Sequence, residues 1–263
     1  MRKYFYIFKT TLIENLVYIT NILLGFISYG IVLFIFLNLW RYVYQDSTSL
    51  ISGYNISQMI WYVLITELMW FGARNKALTA EIANDIKSGK IAYNINKPYN
   101  YVIYIIAKFM GEVVIKFGIY SILSLSFGWL FVGPLTGFKF YNLPLILLVI
   151  LLGVIINAIL RITISLISFW VEENKPFHWL YDKIILVLGT LFPVELFPRF
   201  LQPIIKCSPI FVVTYGPAKL VVDFSLPMFY QIIIAQIIYL GISIGLVTIM
   251  YTKGVKKLNV NGG

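Results

Sequence analysis

Glu67 and Arg161 are the residues whose placement most invites chemistry, because each lies inside a stretch otherwise apolar enough to cross a bilayer. An ionisable group at membrane depth is costly and tends to mark a functional site. Along their helices Glu67 stands about six residues and Arg161 about nine from the same membrane face, depths of roughly 9 and 13 Å at the helical rise. Side chains at those depths can meet, so one reading is an intramembrane ion pair; the other is that each snorkels to the interface. Soluble-enzyme chemistry finds no support. The phosphate-binding G-x-x-x-x-G-K-[ST] loop, H-E-x-x-H and C-x-x-C are all missing. One cysteine, Cys207, and one histidine, His178, leave no disulfide framework, no metal cluster and no credible triad. The chain reads as having no catalytic residue and no metal site, and as not being an enzyme.

The elements that must position these groups are membrane spans. The chain is 60% hydrophobic and only 12% charged, half the charge of an ordinary soluble domain. A single transmembrane domain, 1–263, follows: an all-α polytopic protein with six crossings, at about 22–40, 57–73, 109–132, 144–170, 184–201 and 229–251. Residues 1–21 carry Arg2, Lys3 and Lys9, with Phe5, Phe8, Leu12, Leu16 and Ile19 at helical spacing. That pattern fits an amphipathic interfacial helix. Arg41 to Asn55 reads as a short polar loop with Asp46, Ser47, Thr48 and Ser49, and Glu172 to Lys183 as a charged loop. The fifth crossing is broken, because Pro193, Pro198, Pro203, Pro209 and Pro217 recur through an apolar stretch that also carries Glu195. Proline stops a continuous helix, so this stretch reads as re-entrant or interfacial helices on the outer side, with Pro193, Glu195, Pro198 and Pro203 at its core.

Six crossings put both termini on one side, and basic residues decide which. With the termini inside, fifteen Lys and Arg fall in the cytoplasm and five outside. The positive-inside rule then fixes the orientation and accounts for the net charge of +10 without nucleic acid. The Trp and Tyr residues near the predicted boundaries form the usual interfacial belts. The largest cytoplasmic island is Arg74 to Lys116. Within it Ala77, Leu78, Ile82 and Ile86 recur at helical spacing against Glu81, Asp85 and Lys87. Ser88-Gly89 reads as the helix stop, and Lys97-Pro98 as an extended turn. A second amphipathic helix, Tyr101 to Lys108, leads back to the membrane, and Glu112 and Lys116 are spaced for a helix-surface pair.

The run Asp85-Ile-Lys-Ser-Gly-Lys-Ile-Ala-Tyr-Asn-Ile-Asn-Lys-Pro98 resembles the I-R-x-G-x-L-x-x-x-L-x-x-P pattern that follows the second crossing in bacterial type-2 ABC exporter permeases. Lys87 replaces the usual Arg, and Asn94 and Asn96 stand near a position often apolar or basic. Six crossings, an interfacial N-terminal helix and a proline-broken outer segment resemble the same family over essentially the whole chain. The resemblance implies a membrane subunit of the bacterial cytoplasmic membrane that binds no cofactor itself. ATP and Mg would be held by a separate ABC ATPase, in two copies, and a second permease, the same or a paralogous chain, would complete the transporter. The coupling helix would run from Ala77 to Gly89, with Ala77, Leu78, Glu81, Ile82, Asp85, Ile86, Lys87, Ser88 and Gly89 docking on the ATPase. Basic residues beyond it would meet lipid headgroups. Crossings one, two and five would line the path of an amphipathic or hydrophobic cargo such as a drug, an antimicrobial peptide or a lipid-like molecule. Two other readings are an ion-coupled secondary transporter built on Glu67 and Arg161, and a non-transporting membrane scaffold.

Overall fold

A computed structural model describes residues 2–44, 49–135 and 137–261. Asp46, Ser47 and Thr48 of the expected polar loop lie outside the described residues. Among the described residues four stretches are long and apolar enough to cross a membrane: Ile22–Val43, Ile56–Lys87, Phe140–Phe169 and Leu226–Lys257. Among the described residues the fold is helical, with a single isolated β-bridge, Ile51 to Tyr54.

Helix α1 (Arg2–Val17) is separated from α2 (Ile19–Val43) by a turn at Tyr18. It packs on the later helix α6 (Tyr101–Phe131). The contact face differs from the expected one: Phe5 and Leu16 are exposed, while Thr11 is buried and Phe8 and Leu12 partly so. Gly111 of α6 explains the shift. A Cβ there would come within 2.8 Å of the Phe8 carbonyl oxygen and 3.0 Å of the Thr11 Cβ, so the missing side chain sets which face of α1 comes close.

Helix α3 (Ile56–Ala73) is the hub, with 14 of its 18 residues buried. It starts at a reciprocal capping box between Asn55 and Gln58, and it packs against α2, α6 and the proline-rich segment expected from the sequence to lie outside (the outer segment). A helix apolar on all sides needs such enclosure. The resemblance places this crossing along a path between permeases; its own chain encloses it instead.

After α3 come α4 (Lys76–Lys87), α5 (Lys90–Ile95) and α6. Between Gly89 and the expected turn at Lys97-Pro98 the chain forms a short helix, α5, that was not expected from the sequence. The expected separate helix at 101–108 is the first part of α6, which runs unbroken for 31 residues because nothing between Lys108 and Phe109 interrupts it. Helix α7 (Leu143–Ser165) is extended at both ends by 3-10 turns, Phe140–Asn142 and Leu166–Phe169. The expected charged loop is largely α8 (Lys175–Ile185), where Pro176 in the first turn presets the helical φ.

The outer segment is broken as expected. Helix α8 widens into a π-helical stretch, Leu186–Leu191, before Pro193 and a 3-10 turn, Val194–Leu196. Then follow α9 (Gln202–Lys206), a second π-helical stretch Phe211–Tyr215, and α10 (Gly216–Val222). Helix α11 (Leu226–Asn261) completes the described fold. Irregular backbone among apolar helices needs internal hydrogen-bond donors, and neighbours supply them. Tyr62 Oη donates to the Gly189 carbonyl at 2.8 Å and Thr66 Oγ1 to Thr190 at 2.9 Å. Gln236 of α11 reaches the Val149 and Val212 carbonyls at 2.7 and 3.0 Å.

Candidate functional site

Two short helices form an elbow between α3 and α6. Asn75 caps α4 by accepting from the Leu78 amide at 2.8 Å. The helix ends at Ser88, and Gly89 follows with φ +73°, a left-handed conformation that favours glycine. The expected stop is where the sequence put it. An apolar stripe of Leu78, Ile82, Ala83 and Ile86 is buried, and Leu78, Ile82 and Ile86 share a cluster with Val154, Ile159 and Ile162 of α7, Phe169, and Val247 of α11.

Asp85 is buried with them. Its carboxylate accepts from Asn94 Nδ2 at 3.0 Å and from Tyr101 Oη at 3.1 Å, and Lys90 Nζ stands 3.5 Å away. One side chain of α4 thus ties together α5 and the start of α6. Glu81 is paired with Lys108 of α6 at 2.7 Å. Lys116 pairs with Glu112, as its spacing suggested, and also reaches the Arg74 carbonyl at 2.8 Å. Glu112 accepts in addition from Asn75.

The structure therefore divides the expected docking set. Leu78, Ile82, Asp85 and Ile86 face inward and are unavailable to a partner, whereas Ala77, Lys87, Ser88 and Gly89 are exposed and Glu81 is half-buried. Ala80, Asn84, Ala92 and Tyr93 share the exposed side and were not singled out from the sequence; their signal was the same period read from the opposite face. Helix α1 braces the elbow from the other end. The Asn100 amide donates to Tyr4 Oη at 2.8 Å, and Lys3 Nζ donates to the Pro98 carbonyl.

The Glu67–Arg161 pair is not formed. Arg161, 4% exposed, is bound to Asp182 of α8 at 2.8 Å, and Arg74 approaches the same carboxylate at 3.5 Å. The Arg161 guanidinium also lies 5.9 Å from the Trp70 ring and 5.2 Å from Tyr181, within reach of cation–π attraction. Depth along a helix placed Glu67 and Arg161 at similar levels but carried no azimuth. Asp182, read as a loop residue, sits on a helix packed against α7. Beside this cluster His178 contacts Ser165 Oγ through Nε2 at 3.0 Å. Burial first, then the Arg161 charge, lower the His178 pKa to about 4 from its ordinary 6.5, with Asp182 opposing. Glu67 is 1% exposed in the middle of α3.

On the far side, Glu195 gathers the proline-broken segment. Its carboxylate accepts from Tyr54 Oη at 3.0 Å and from Tyr215 Oη at 2.5 Å, and Lys219 lies 4.3 Å from the Tyr54 ring while pairing with Asp223 at 3.0 Å. Pro193 is buried beside it, whereas Pro198 and Pro203 are exposed. The tyrosine partners carried no signal beyond their place near a membrane boundary. Among the described residues no group of three or more His, Cys, Asp and Glu could hold a metal ion.

A family model described as an ABC-2 family transporter protein matches residues 30–262. No curated protein matches the chain.

Proposed function

The chain belongs to the ABC-2 transporter family, and from that premise we propose that it is the permease of an ATP-driven exporter for an amphipathic or hydrophobic cargo. In this reading six crossings hold it in a bacterial cytoplasmic membrane with both termini inside. Two copies of a separate ABC ATPase bind ATP and Mg, and a second permease, identical or paralogous, completes the transporter. The sequence offers no P-loop of its own, in keeping with that division of labour.

The observation that carries the reading is the form of α4. It is capped at both ends, tied by Asp85 to α5 and α6, and seated by its apolar stripe on α7 and Phe169. Its other side is an exposed strip of small and polar residues, Ala77, Ala80, Asn84, Lys87 and Ser88. A partner pressing there moves a rigid element. The displacement passes through Ile82 and Ile86 to α7, and through Arg74 and Asp182 to α8.

The test is to purify the chain with its candidate ATPase and place Trp at Ala80 or Asn84. Both positions are exposed, so the unfolding temperature should hold. Blocking the centre of an interface costs about 2 kcal/mol or more, so stimulated ATP hydrolysis should fall on the order of thirtyfold. Wild-type stimulation in both variants would remove α4 from the coupling role.

A further inference from the structure

Glu67 is a buried acid whose potential partners are all committed elsewhere. Hydroxyls that reach α3 near it donate to backbone: Tyr29 Oη of α2 and Ser124 Oγ of α6 both reach the Leu64 carbonyl, at 3.4 and 3.0 Å, and Thr66 Oγ1 of α3 itself reaches Thr190. The ionisable groups of the elements packed against α3 are engaged too. On α2, Tyr29 is bonded to Leu64 and is the ionisable neighbour of Glu67. On α6, Glu112 holds Lys116, and the Tyr120 ring packs tilted, 5.1 Å from the Tyr29 ring. On α7, Arg161 holds Asp182. In the outer segment Tyr215 donates to Glu195 and Lys219 holds Asp223. Among the described residues no hydrogen bond or ion pair reaches the Glu67 carboxyl.

An ionised carboxylate cannot rest in such a place cheaply; burial without a partner costs several kcal/mol. Two ligands could relieve it, a metal cation or a proton. A hard cation wants six or more oxygens, and the described residues offer no acidic cluster around Glu67. A proton needs only the carboxyl itself.

We propose that Glu67 is a proton-binding site within the membrane domain, carried as the neutral acid in this conformation and exchanging its proton with water as the permease changes state. Helix α3 leads directly into the elbow through Arg74 and Asn75, so a push on α4 is delivered to the helix that bears Glu67. This second step, exchange during the cycle, rests on the permease reading; the first, a neutral acid at rest, does not.

The experiment separates the two. The full chain in lipid nanodiscs at neutral pH is compared with Glu67→Gln, an isostere of the protonated acid, by infrared difference spectroscopy. The expected result is the C=O stretch of a protonated carboxylic acid in the wild type, lost in the variant, whose unfolding temperature matches wild type. If Glu67→Gln does not fold, the wild type labelled with ¹³C-glutamate must show that band shifted by the label. Absence of the protonated band overturns the site, with no ATPase involved. In the second arm, ATP is added to the complex in weak buffer with a pH dye. Once the protons released by hydrolysis itself are subtracted in proportion to the phosphate produced, wild type should exchange about one further proton per permease, as expected for a single titrating group, and Glu67→Gln no further proton, while both hydrolyse ATP. Equal proton exchange in both overturns the coupling, whereas loss of hydrolysis in wild type would count against the permease reading instead.

Discussion

Asp85 and Glu195 do the same job at opposite ends of the membrane domain, and they do it over different distances in the chain. Each carboxylate accepts a tyrosine hydroxyl and thereby pins a segment that is not a simple crossing. Asp85 binds Asn94 and Tyr101, nine and sixteen residues away. Glu195 binds Tyr54, 141 residues away, and Tyr215, twenty away. The elbow between α3 and α6 is thus knitted locally from capped helices. The outer segment, made of π-helical stretches and turns between prolines, holds its position by reaching across to the start of α3. A lever suits the first arrangement, and a closure that can release suits the second.

The largest effect should come from breaking the local knot. Asp85→Ala leaves the Tyr101 hydroxyl and Asn94 amide buried without their acceptor, a loss of about 3 kcal/mol. Hydrogen exchange should accelerate across residues 76–100 and remain unchanged at 193–215. Asp85→Asn, which keeps one acceptor, should lose less. Equal acceleration at both ends would end the distinction between a local unit and a long-range tie.

Gly111→Leu asks whether the elbow also needs α1. A side chain there meets the Phe8 carbonyl, backbone that cannot step aside. Overpacking of this kind costs about 1–3 kcal/mol. Helix α1 should become protease-sensitive, and the elbow should loosen at Pro98 and Asn100, where Lys3 and Tyr4 hold it, while Asp85 keeps its partners.

Glu195→Gln tests the other side of the comparison. The amide keeps one oxygen for one tyrosine, so the loss should be about 1 kcal/mol. Its mark should be regional: faster exchange over 192–206 and a wild-type elbow.

The elbow was largely legible because it obeys local rules. Period-3.6 spacing, a Ser-Gly stop and a following proline place α4 and its end without tertiary information. What the pattern could not supply was which side of α4 faces the protein. Asp85 read as a surface charge because its donors, Asn94 and Tyr101, become neighbours only once α5 turns the chain back. The outer segment was legible only as broken. Prolines announce where a helix cannot continue, but the ties from Tyr54 and Tyr62 cross more than a hundred residues. The Glu67–Arg161 expectation failed for the same reason: depth is a one-dimensional quantity, and the pairing of Arg161 with Asp182 is decided by helix azimuth. The face of α1 was misjudged by part of a turn because a glycine on another helix sets it.

A pH dependence sets the Arg161–Asp182 cluster apart from Glu195. His178 lies outside the four long apolar spans, beside Ser165, Arg161 and Asp182, and its pKa is lowered to about 4. In the unfolded chain the imidazole titrates at its ordinary 6.5. Between those values the unfolded state binds the proton and the folded state does not, so stability rises with pH in that window. The contribution is present above 6.5 and is lost as pH falls toward 4, with a limiting slope of about tenfold in the unfolding constant per pH unit for one proton. Thermal unfolding in detergent should therefore show wild type losing stability on acidification, and His178→Gln losing less. Glu195→Gln should leave that difference between wild type and His178→Gln intact. A parallel decline in wild type and His178→Gln would assign the acid sensitivity to carboxylates such as Asp182, and the Arg161–Asp182 cluster would then resemble the one at Glu195 in being held by acids alone.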